Sequence, residues 1–209
     1  MSVSAAKTAQ PAGSVPSAQR RVDPRILRTR GLLRAAALEL AAERELQTIT
    51  IAHVAERATI NRATVYQHYR DLDELMLDAM EDELAKLVGL AARCPLVVLP
   101  SDMPHEFVDM FRHIEGDITL YRRMLGPCGS ARFVSRLRQL VAEQVAGQLA
   151  DAGVGRADEA GVELRAHCSA GAFIGLVSCW LFRPQQMSAE EAAEHAWRGL
   201  HMVGRPAAG

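Results

Sequence analysis

The sequence predicts an all-α protein, and three observations support this fold class. Alanine and leucine, which favour helices, are abundant, whereas aromatic residues make up only 5% of the chain. Apolar residues recur at intervals of three and four, the spacing of one helix face. Alternation typical of strands is nearly absent. The segment PLVVLP, residues 95–100, comes closest, and its flanking prolines favour a linker between helices.

The composition narrows the class of protein further. With 209 residues and 49% apolar residues, the chain can bury a core in one or two domains. Residues 1–22 are rich in Ser, Ala, Pro and Gln and lack the apolar stretch of a signal peptide, so we expect a disordered arm and a cytoplasmic protein. Four cysteines (Cys94, Cys128, Cys168 and Cys179) form no C-x-x-C pair. We therefore expect free thiols, and neither a metal nor a cofactor.

The charge is divided unevenly along the chain. Residues 20–70 hold ten arginines and five acidic residues, whereas residues 71–209 hold 13 basic and 20 acidic residues. A basic front and an acidic back favour a polyanionic partner for the front alone, although solvated arginines could cluster by chance.

The first helices follow from capping residues and apolar stripes. Asp23 and Pro24 suit the start of a helix whose buried stripe we predict to be Leu33, Ala36, Ala37, Leu40 and Ala41. Thr50 caps a second helix, TIAHVAERA, and Asn61 caps a third, RATVYQHY. Two helices joined by a three-residue turn indicate a helix-turn-helix, so we predict a DNA-binding domain at residues 23–71.

A helical wheel of the third helix predicts its DNA-reading face. Val65 and Tyr69 share the inward face, whereas the outward side carries side chains suited to a duplex. Arginine can read guanine, glutamine can read adenine, and hydroxyl or imidazole groups can donate to phosphate oxygens. The predicted DNA-binding residues are Thr50, Arg62, Ala63, Thr64, Tyr66, Gln67, His68 and Arg70.

Residues 25–80 resemble the N-terminal domain of the tetracycline-repressor (TetR) family. The segments TIAHVAERA and TVYQHYRDLDEL are similar to the family patterns T-I-x-x-I-A-x-x-A and T-[LV]-Y-x-[HY]-F-x-[SN]-K-x-x-L. The resemblance implies that Thr50 contacts a phosphate and that positions 62–68 meet bases and backbone. Three residues depart from the pattern: Thr59 and Glu45 stand where glycine is usual, and Leu72 replaces a lysine that contacts phosphate.

The remaining chain, residues 72–209, is predicted to form a larger helical domain for ligand binding and dimerisation. We expect one long helix over about 72–93, another spanning residues 105–125, and a last helix over 189–203 opened by a Ser188–Glu191 capping box. The run AHCSAGAFIGLVSCWLF is near the minimum length of a membrane span but carries His167 and several serines, which favours a buried helix. Within it, CSAGAFIGLVSCWLF is apolar on nearly every side and rich in small residues, which favours a homodimer over a monomer core helix. The predicted interface residues are Cys168, Ala172, Gly175, Cys179, Trp197 and Leu200.

A ligand pocket is the hardest feature to predict from the sequence, because pocket residues share the spacing of core residues. Methionine and aromatic side chains favour an apolar effector, and the candidates are Met110, Phe111, Ile114, Tyr121, Met124 and Phe173. His105, Asp109 and His113 share a helix face but lack the H-E-x-x-H pattern, and we expect no metal there.

These observations predict a ligand-responsive transcriptional regulator and not an enzyme. The resemblance implies a repressor that binds a palindromic operator as a dimer and is released by a small effector. The alternative is a DNA-binding regulator that takes no small ligand and is controlled by a protein partner. A Gly-rich phosphate loop and a nucleophile elbow are both absent from the sequence.

Overall fold

The computed structural model describes residues 23–95, 100–153, 159–183 and 187–203, and within these ranges all regular secondary structure is helical, without strands. The all-α prediction is confirmed. The predicted arm and residues 96–99 of the predicted linker lie outside the described residues. The α-helices are α1 (Pro24–Glu43), α2 (Ile51–Arg57), α3 (Arg62–His68), α4 (Leu72–Ala79), α5 (Glu81–Arg93), α6 (His105–Gly116), α7 (Ile118–Leu125), α8 (Ala131–Asp151), α9 (Glu159–Leu181) and α10 (Ala189–Val203).

Side-chain caps define the helix starts that the sequence predicted. The Asp23 carboxylate accepts from the Arg25 amide at 2.9 Å, and the Asn61 side chain accepts from the Ala63 amide at 2.8 Å. Ser188 and Glu191 form the predicted capping box at the start of α10, with distances of 2.9 and 3.2 Å. Each cap satisfies an amide that the helix itself leaves without a partner.

Two predicted helices are each divided in two, so the predictions of single helices over 72–93 and 105–125 are wrong. Met80 separates α4 from α5, and its amide lies 3.1 and 3.2 Å from the carbonyl oxygens of Met76 and Leu77. Asp117, with φ −125° and ψ 38°, separates α6 from α7. Apolar spacing does not reveal these breaks, because a one-residue interruption hardly changes the direction in which the flanking side chains point.

The front of the molecule packs around the predicted stripe of α1. All five stripe residues are buried, together with Val54 of α2, Val65 of α3 and Tyr69 just beyond it. Helix α4 packs against α1 and also contacts α8, while α8 pairs with α9 and α10 packs on α6. One continuous core runs through both regions, so the helix-turn-helix rests directly on the larger helical part.

Helix α9 is long and apolar enough to cross a membrane by length and composition alone, over Ala160–Leu181. Core helices of soluble proteins meet the same criterion. Ala166, Ala170, Val177 and Leu181 are buried inside the subunit. The helix therefore serves as a core element on one side and has an exposed apolar surface on the other.

Candidate DNA-binding surface and effector cavity

The turn between α2 and α3 has the hydrogen bonds of a Schellman motif. The Ile60 amide bonds to the Ala55 carbonyl at 2.9 Å, and the Thr59 amide bonds to the Glu56 carbonyl at 3.1 Å. Thr59 occupies the left-handed region with φ 56°, the position that glycine usually fills. The turn therefore keeps the glycine-type backbone that the family pattern implies, even though the residue there is β-branched.

Helix α3 has the two faces that its wheel predicts. Val65 is fully buried, whereas the side chains at the predicted reading positions are open to solvent. Tyr66 is 48% exposed, an unusual state for a large aromatic side chain. The exposed residues are Arg62, Ala63, Tyr66, Gln67 and Arg70, and Thr64 and His68 are half-buried.

Arg62 and Tyr66 form a pair at the open end of α3. The Arg62 guanidinium donates to the Tyr66 hydroxyl at 3.1 Å and lies 5.6 Å from the centre of its ring. The ring quadrupole attracts a cation that lies over the aromatic face. The pair therefore presents a partly ordered guanidinium at the surface, which suits bidentate contact with a guanine edge.

At the start of α2, Thr50 is exposed and forms a capping box with His53. The His53 amide donates to the Thr50 hydroxyl at 3.2 Å, and the Thr50 amide donates to His53 Nδ1 at 3.3 Å. The hydroxyl at the proposed phosphate position thus already caps the helix. Arg70, 79% exposed at its side chain, pairs with Glu74 at 3.0 Å.

Several arginines of the basic front are already neutralised inside the subunit. Arg57 forms a bidentate pair with Glu43 at 2.8 and 2.7 Å, and Arg34 pairs with Asp82 at 2.7 Å. Among the described residues, the front arginines without an ion pair are Arg25, Arg28, Arg44 and Arg62. The charge available to DNA is therefore smaller than the sequence count of ten suggests.

A polar network anchors the end of α3 to α1 and α4. The Tyr69 hydroxyl donates to Asp78 at 2.5 Å and accepts from Arg30 at 3.3 Å, and Arg30 also donates to Asp78 at 2.9 Å. Burial, followed by the hydrogen bond to Asp78, raises the pKa of Tyr69 to about 12. The network holds the base of the reading helix without using its outer face.

The two other departures from the family pattern have simple structural outcomes. Glu45 stands where glycine is usual, but its φ is −64°, so this position does not need the positive φ that glycine favours. Leu72 is half-buried and packs against the core.

A narrow apolar cavity of about 60 Å³ lies in the larger helical region, where five helices meet. Among the described lining residues, Ser169 alone has a polar side chain. Leu87 and Ala91 belong to α5, and Val141 and Val145 to α8. The other lining residues are Phe107, Met110, Phe173 and Leu200.

Only two of the six predicted pocket residues, Met110 and Phe173, line this cavity. Phe111, Ile114, Tyr121 and Met124 pack in the core instead and are almost fully buried. Phe111 stacks 5.3 Å from Trp180. The sequence did not predict the other seven described lining residues, because spacing identifies the inward face of a helix but not the place where inward faces leave a gap.

An exposed apolar stripe runs along α9 and the residue that follows it. It consists of Leu164, Cys168, Ala172, Gly175, Cys179 and Phe182, all exposed in the single subunit. Leu164 is 68% exposed and Phe182 48% exposed, so a lone subunit leaves large apolar groups in water. Below, this set of residues is called the α9 stripe.

The placement predicted for Trp197 on the dimer surface is corrected by the structure. Trp197 is only 4% exposed, and its ring lies 5.1 Å from that of Phe107 in the subunit core. Leu200 is half-buried and lines the cavity. Both residues occupy the apolar side of α10, which packs on α6 and not outward.

The three residues weighed as a metal set have other partners. His113 contacts Glu83 at 3.3 Å and the Tyr121 hydroxyl at 3.2 Å, and Asp109 pairs with Arg112 at 3.3 Å. His105 pairs with Glu106 at 3.3 Å. The described residues contain no group of three or more potential metal ligands.

A helix-turn-helix head with an exposed polar reading helix, joined to a helical part with an apolar cavity, defines a DNA-binding transcriptional regulator. Comparison with known protein families identifies the family of this regulator. The model of bacterial regulatory proteins of the TetR family matches residues 33–79, and that of a transcriptional regulator C-terminal region matches residues 102–198.

Individual relatives agree with these matches. The chain is 32% identical over 71 residues to an uncharacterized HTH-type transcriptional regulator, YxbF, of Bacillus subtilis, a match covering 34% of this chain and 19% of that protein. A TetR regulator from Streptococcus agalactiae superposes with a TM-score of 0.61 at 22% identity, covering 88% of this chain and 97% of the other. Thermus thermophilus FadR, a TetR-family repressor solved with lauroyl-CoA, gives 0.60 at 23% identity, covering 86% and 98%.

The chain belongs to the TetR family of transcriptional regulators. Members of this family are DNA-binding transcription factors and not enzymes. They bind DNA as dimers and often bind small molecules. At the identities observed, the likeness to the two solved structures shows the fold alone, so the operator and effector of this chain must be argued from its own residues.

Proposed function

We propose that this protein is a cytoplasmic repressor that binds a palindromic operator as a homodimer and leaves it when a small, uncharged, apolar effector enters the cavity. The observation that carries the proposal is that one subunit combines an exposed polar face on α3, suited to DNA, with an apolar cavity. The mechanism is a population shift, in which the effector favours a dimer whose two reading helices no longer fit successive major grooves.

DNA recognition is assigned to the outer face of α3. Arg62 and Gln67 are the base readers, since both are exposed and carry donors that match base edges. Thr50, Tyr66, His68 and Arg70 serve the phosphate backbone. Ala63 and Thr64 allow close approach, and the Thr64 methyl group can meet a thymine methyl.

Selection of bound fragments from random DNA tests this assignment. Selected sites should be inverted repeats with half-site centres about one helical turn apart. Arg62→Ala and Gln67→Ala should each cost about 1–3 kcal/mol on the selected site and relax one base position. Arg70→Ala, which removes a proposed phosphate contact just beyond the same helix, is the matched control and should weaken selected and altered sites alike. Unchanged base preference in both alanine variants would show that α3 is not the reader.

Dimerisation is assigned to the α9 stripe, because burial against a second copy removes its apolar groups from water. Gly175 offers a clean test, since a Cβ added there meets nothing within 4 Å inside the subunit. Gly175→Glu should therefore yield a folded monomer in sedimentation measurements. Gly31→Glu on α1, where a Cβ also meets nothing, is the control and should remain dimeric. A dimeric Gly175→Glu variant would remove the α9 stripe from the interface.

The effector class follows from the cavity lining. The described lining residues carry no charge and so cannot compensate the desolvation of a charged ligand, whereas the Ser169 hydroxyl can bond to one polar group. Toluene and p-cresol are larger than the resting cavity of about 60 Å³, since a site for a benzene-sized ring needs about 150 Å³, so they must push the lining side chains apart as they enter. Because they are uncharged they should raise the melting temperature by mass action, and benzoate and benzylamine, similar in size but charged, should not.

A cavity-filling variant links ligand binding to this site. Ala91→Leu places a larger side chain in the cavity and should abolish the shift caused by p-cresol, whereas Ala85→Leu on the exposed side of α5 should leave it intact. The same compounds should lower operator affinity in the wild-type protein. If only charged compounds bind, or if operator affinity ignores every compound that binds, the effector part of the proposal is wrong.

A further inference from the structure

A cluster of polar contacts joins the first turn of α8 to the first turn of α4. Arg132 binds Asp71 in bidentate fashion, with Nη1–Oδ1 and Nη2–Oδ2 distances of 2.8 and 3.0 Å. Its Nε lies 3.2 Å from Asp73 Oδ2, and the buried Ser130 hydroxyl also donates to Asp73. These four residues are called the α8–α4 clamp.

Asp71 stands at the exit of the reading helix. It follows the last residue of α3, His68, by three positions, and it caps α4 by accepting from the Glu74 amide at 2.8 Å. The Glu74 amide and the Arg132 guanidinium both lower the pKa of Asp71, which stays ionised at neutral pH. The orientation of Arg132 therefore bears on the point at which the chain passes from α3 into α4.

The other part of α8 reaches the cavity. Val141 and Val145 line the cavity and lie nine and thirteen residues beyond Arg132, about 14 and 20 Å along the helix axis. Helix α8 runs without a break from Ala131 to Asp151. A displacement at the cavity can therefore reach the clamp as a rigid movement of one helix.

The alternative route through α5 is less direct. Leu87 and Ala91 of α5 also line the cavity, but Met80 interrupts the path between α5 and α4. A joint of this kind absorbs part of a displacement. Among the described helices, α8 is thus the unbroken element that touches both the cavity and the first turn after α3.

We propose that Arg132 is a positioning residue that couples the effector cavity to the reading helix through Asp71. The inference rests on the proposed function, because it concerns how the same cavity regulates DNA binding. Arg132 and Asp71 are both partly exposed, so the pair contributes little to stability. Its bidentate geometry instead fixes the orientation of Arg132 relative to Asp71. The property to measure is therefore the coupling between the cavity and DNA binding, and not the free energy of unfolding.

The test compares operator affinity with and without saturating p-cresol in wild-type protein and in Arg132→Ala. Allosteric coupling typically changes affinity by about 5–150-fold. We expect the ratio in Arg132→Ala to fall below about threefold, while p-cresol still binds the variant with wild-type affinity. Arg138→Ala, which removes an exposed arginine without a described ion pair from the same helix, should keep the wild-type ratio.

A second readout needs neither ligand nor DNA. Amide hydrogen exchange at residues 68–74 should become faster in Arg132→Ala and remain unchanged in Arg138→Ala. Arg132→Lys, which keeps the charge but not the bidentate geometry, should restore only part of the protection. Failure of wild-type protein to bind an operator or p-cresol contradicts the proposed function, whereas unchanged exchange in Arg132→Ala overturns the clamp itself.

Asp71→Asn distinguishes the clamp from the capping of α4 and from a direct DNA contact by Arg132. Asparagine still caps a helix, so α4 should persist while the ion pair is lost, and the p-cresol response should fall as in Arg132→Ala. If Arg132 instead contacted DNA directly, freeing it would strengthen operator binding. Tighter binding by Asp71→Asn, or an unaltered response to p-cresol in both variants, overturns the proposal.

Discussion

Thr59 offers the sharpest test of the local physics, because a β-branched residue occupies a backbone position suited to glycine. The left-handed conformation, φ 56° here, costs an L-residue roughly 1–2 kcal/mol. Glycine removes this cost but loses about 0.5–1 kcal/mol through the greater freedom of its unfolded chain. Thr59 is exposed, so its side chain contributes no buried packing that the substitution would remove.

Thr59→Gly should therefore stabilise the protein by about 0.5–1 kcal/mol, equal to roughly 1–4 °C in melting temperature for a chain of this size. Urea denaturation followed by circular dichroism gives the free energy of unfolding directly. Thr59→Ala is the matched control, since alanine keeps the Cβ that makes the left-handed region costly, and it should gain less than glycine. If Thr59→Gly is no more stable than Thr59→Ala, the strain assigned to this turn is absent.

Two other features of the structure give measurable expectations. Tyr69→Phe removes the hydroxyl that donates to Asp78 and should cost about 1–2 kcal/mol, since a bond to a charged acceptor is lost while Arg30 still pairs with Asp78. Burial raises the pKa of Tyr69 from 10 to about 12, so the contribution of its hydroxyl to stability is complete below pH 10 and is lost as the pH rises toward 12. The difference in unfolding free energy between wild type and Tyr69→Phe should shrink over that interval. A constant difference would contradict the burial of this hydroxyl. Thiol labelling at pH 8 should modify Cys128 quickly and Cys94 only on unfolding. Cys128 is exposed, whereas burial raises the pKa of the Cys94 thiol to about 12. Equal labelling rates for the two thiols would place Cys94 at the surface.

The sequence was most informative where the determinants are local. The helices begin at the predicted caps Asp23, Thr50 and Asn61, because a cap needs only a short polar side chain and amides a few residues away. The inward stripe of α1 was also correct. Apolar spacing did not predict the helix breaks at Met80 and Asp117, where a single residue ends one helix and the next begins almost in register.

The proposed reading face was predictable for the same reason, since a helix of known phase has known inner and outer sides. The cavity was not, because its walls come from five helices and its volume depends on how their side chains fail to meet. Trp197 illustrates the limit: its spacing marks the apolar side of α10, but only the packing of α10 on α6 shows that this side faces Phe107 within the subunit.

Local chemistry in the sequence determined the helical class, the helix-turn-helix and the side of α3 that is exposed. Tertiary structure decided which arginines remain available to DNA, because Arg30, Arg34 and Arg57 meet carboxylates from other helices that the chain order does not bring together. It likewise decided that Arg132 reaches Asp71 across 61 positions of sequence. Periodicity and capping act over a few residues, whereas ion pairs and cavities depend on distances that exist only after the helices have packed.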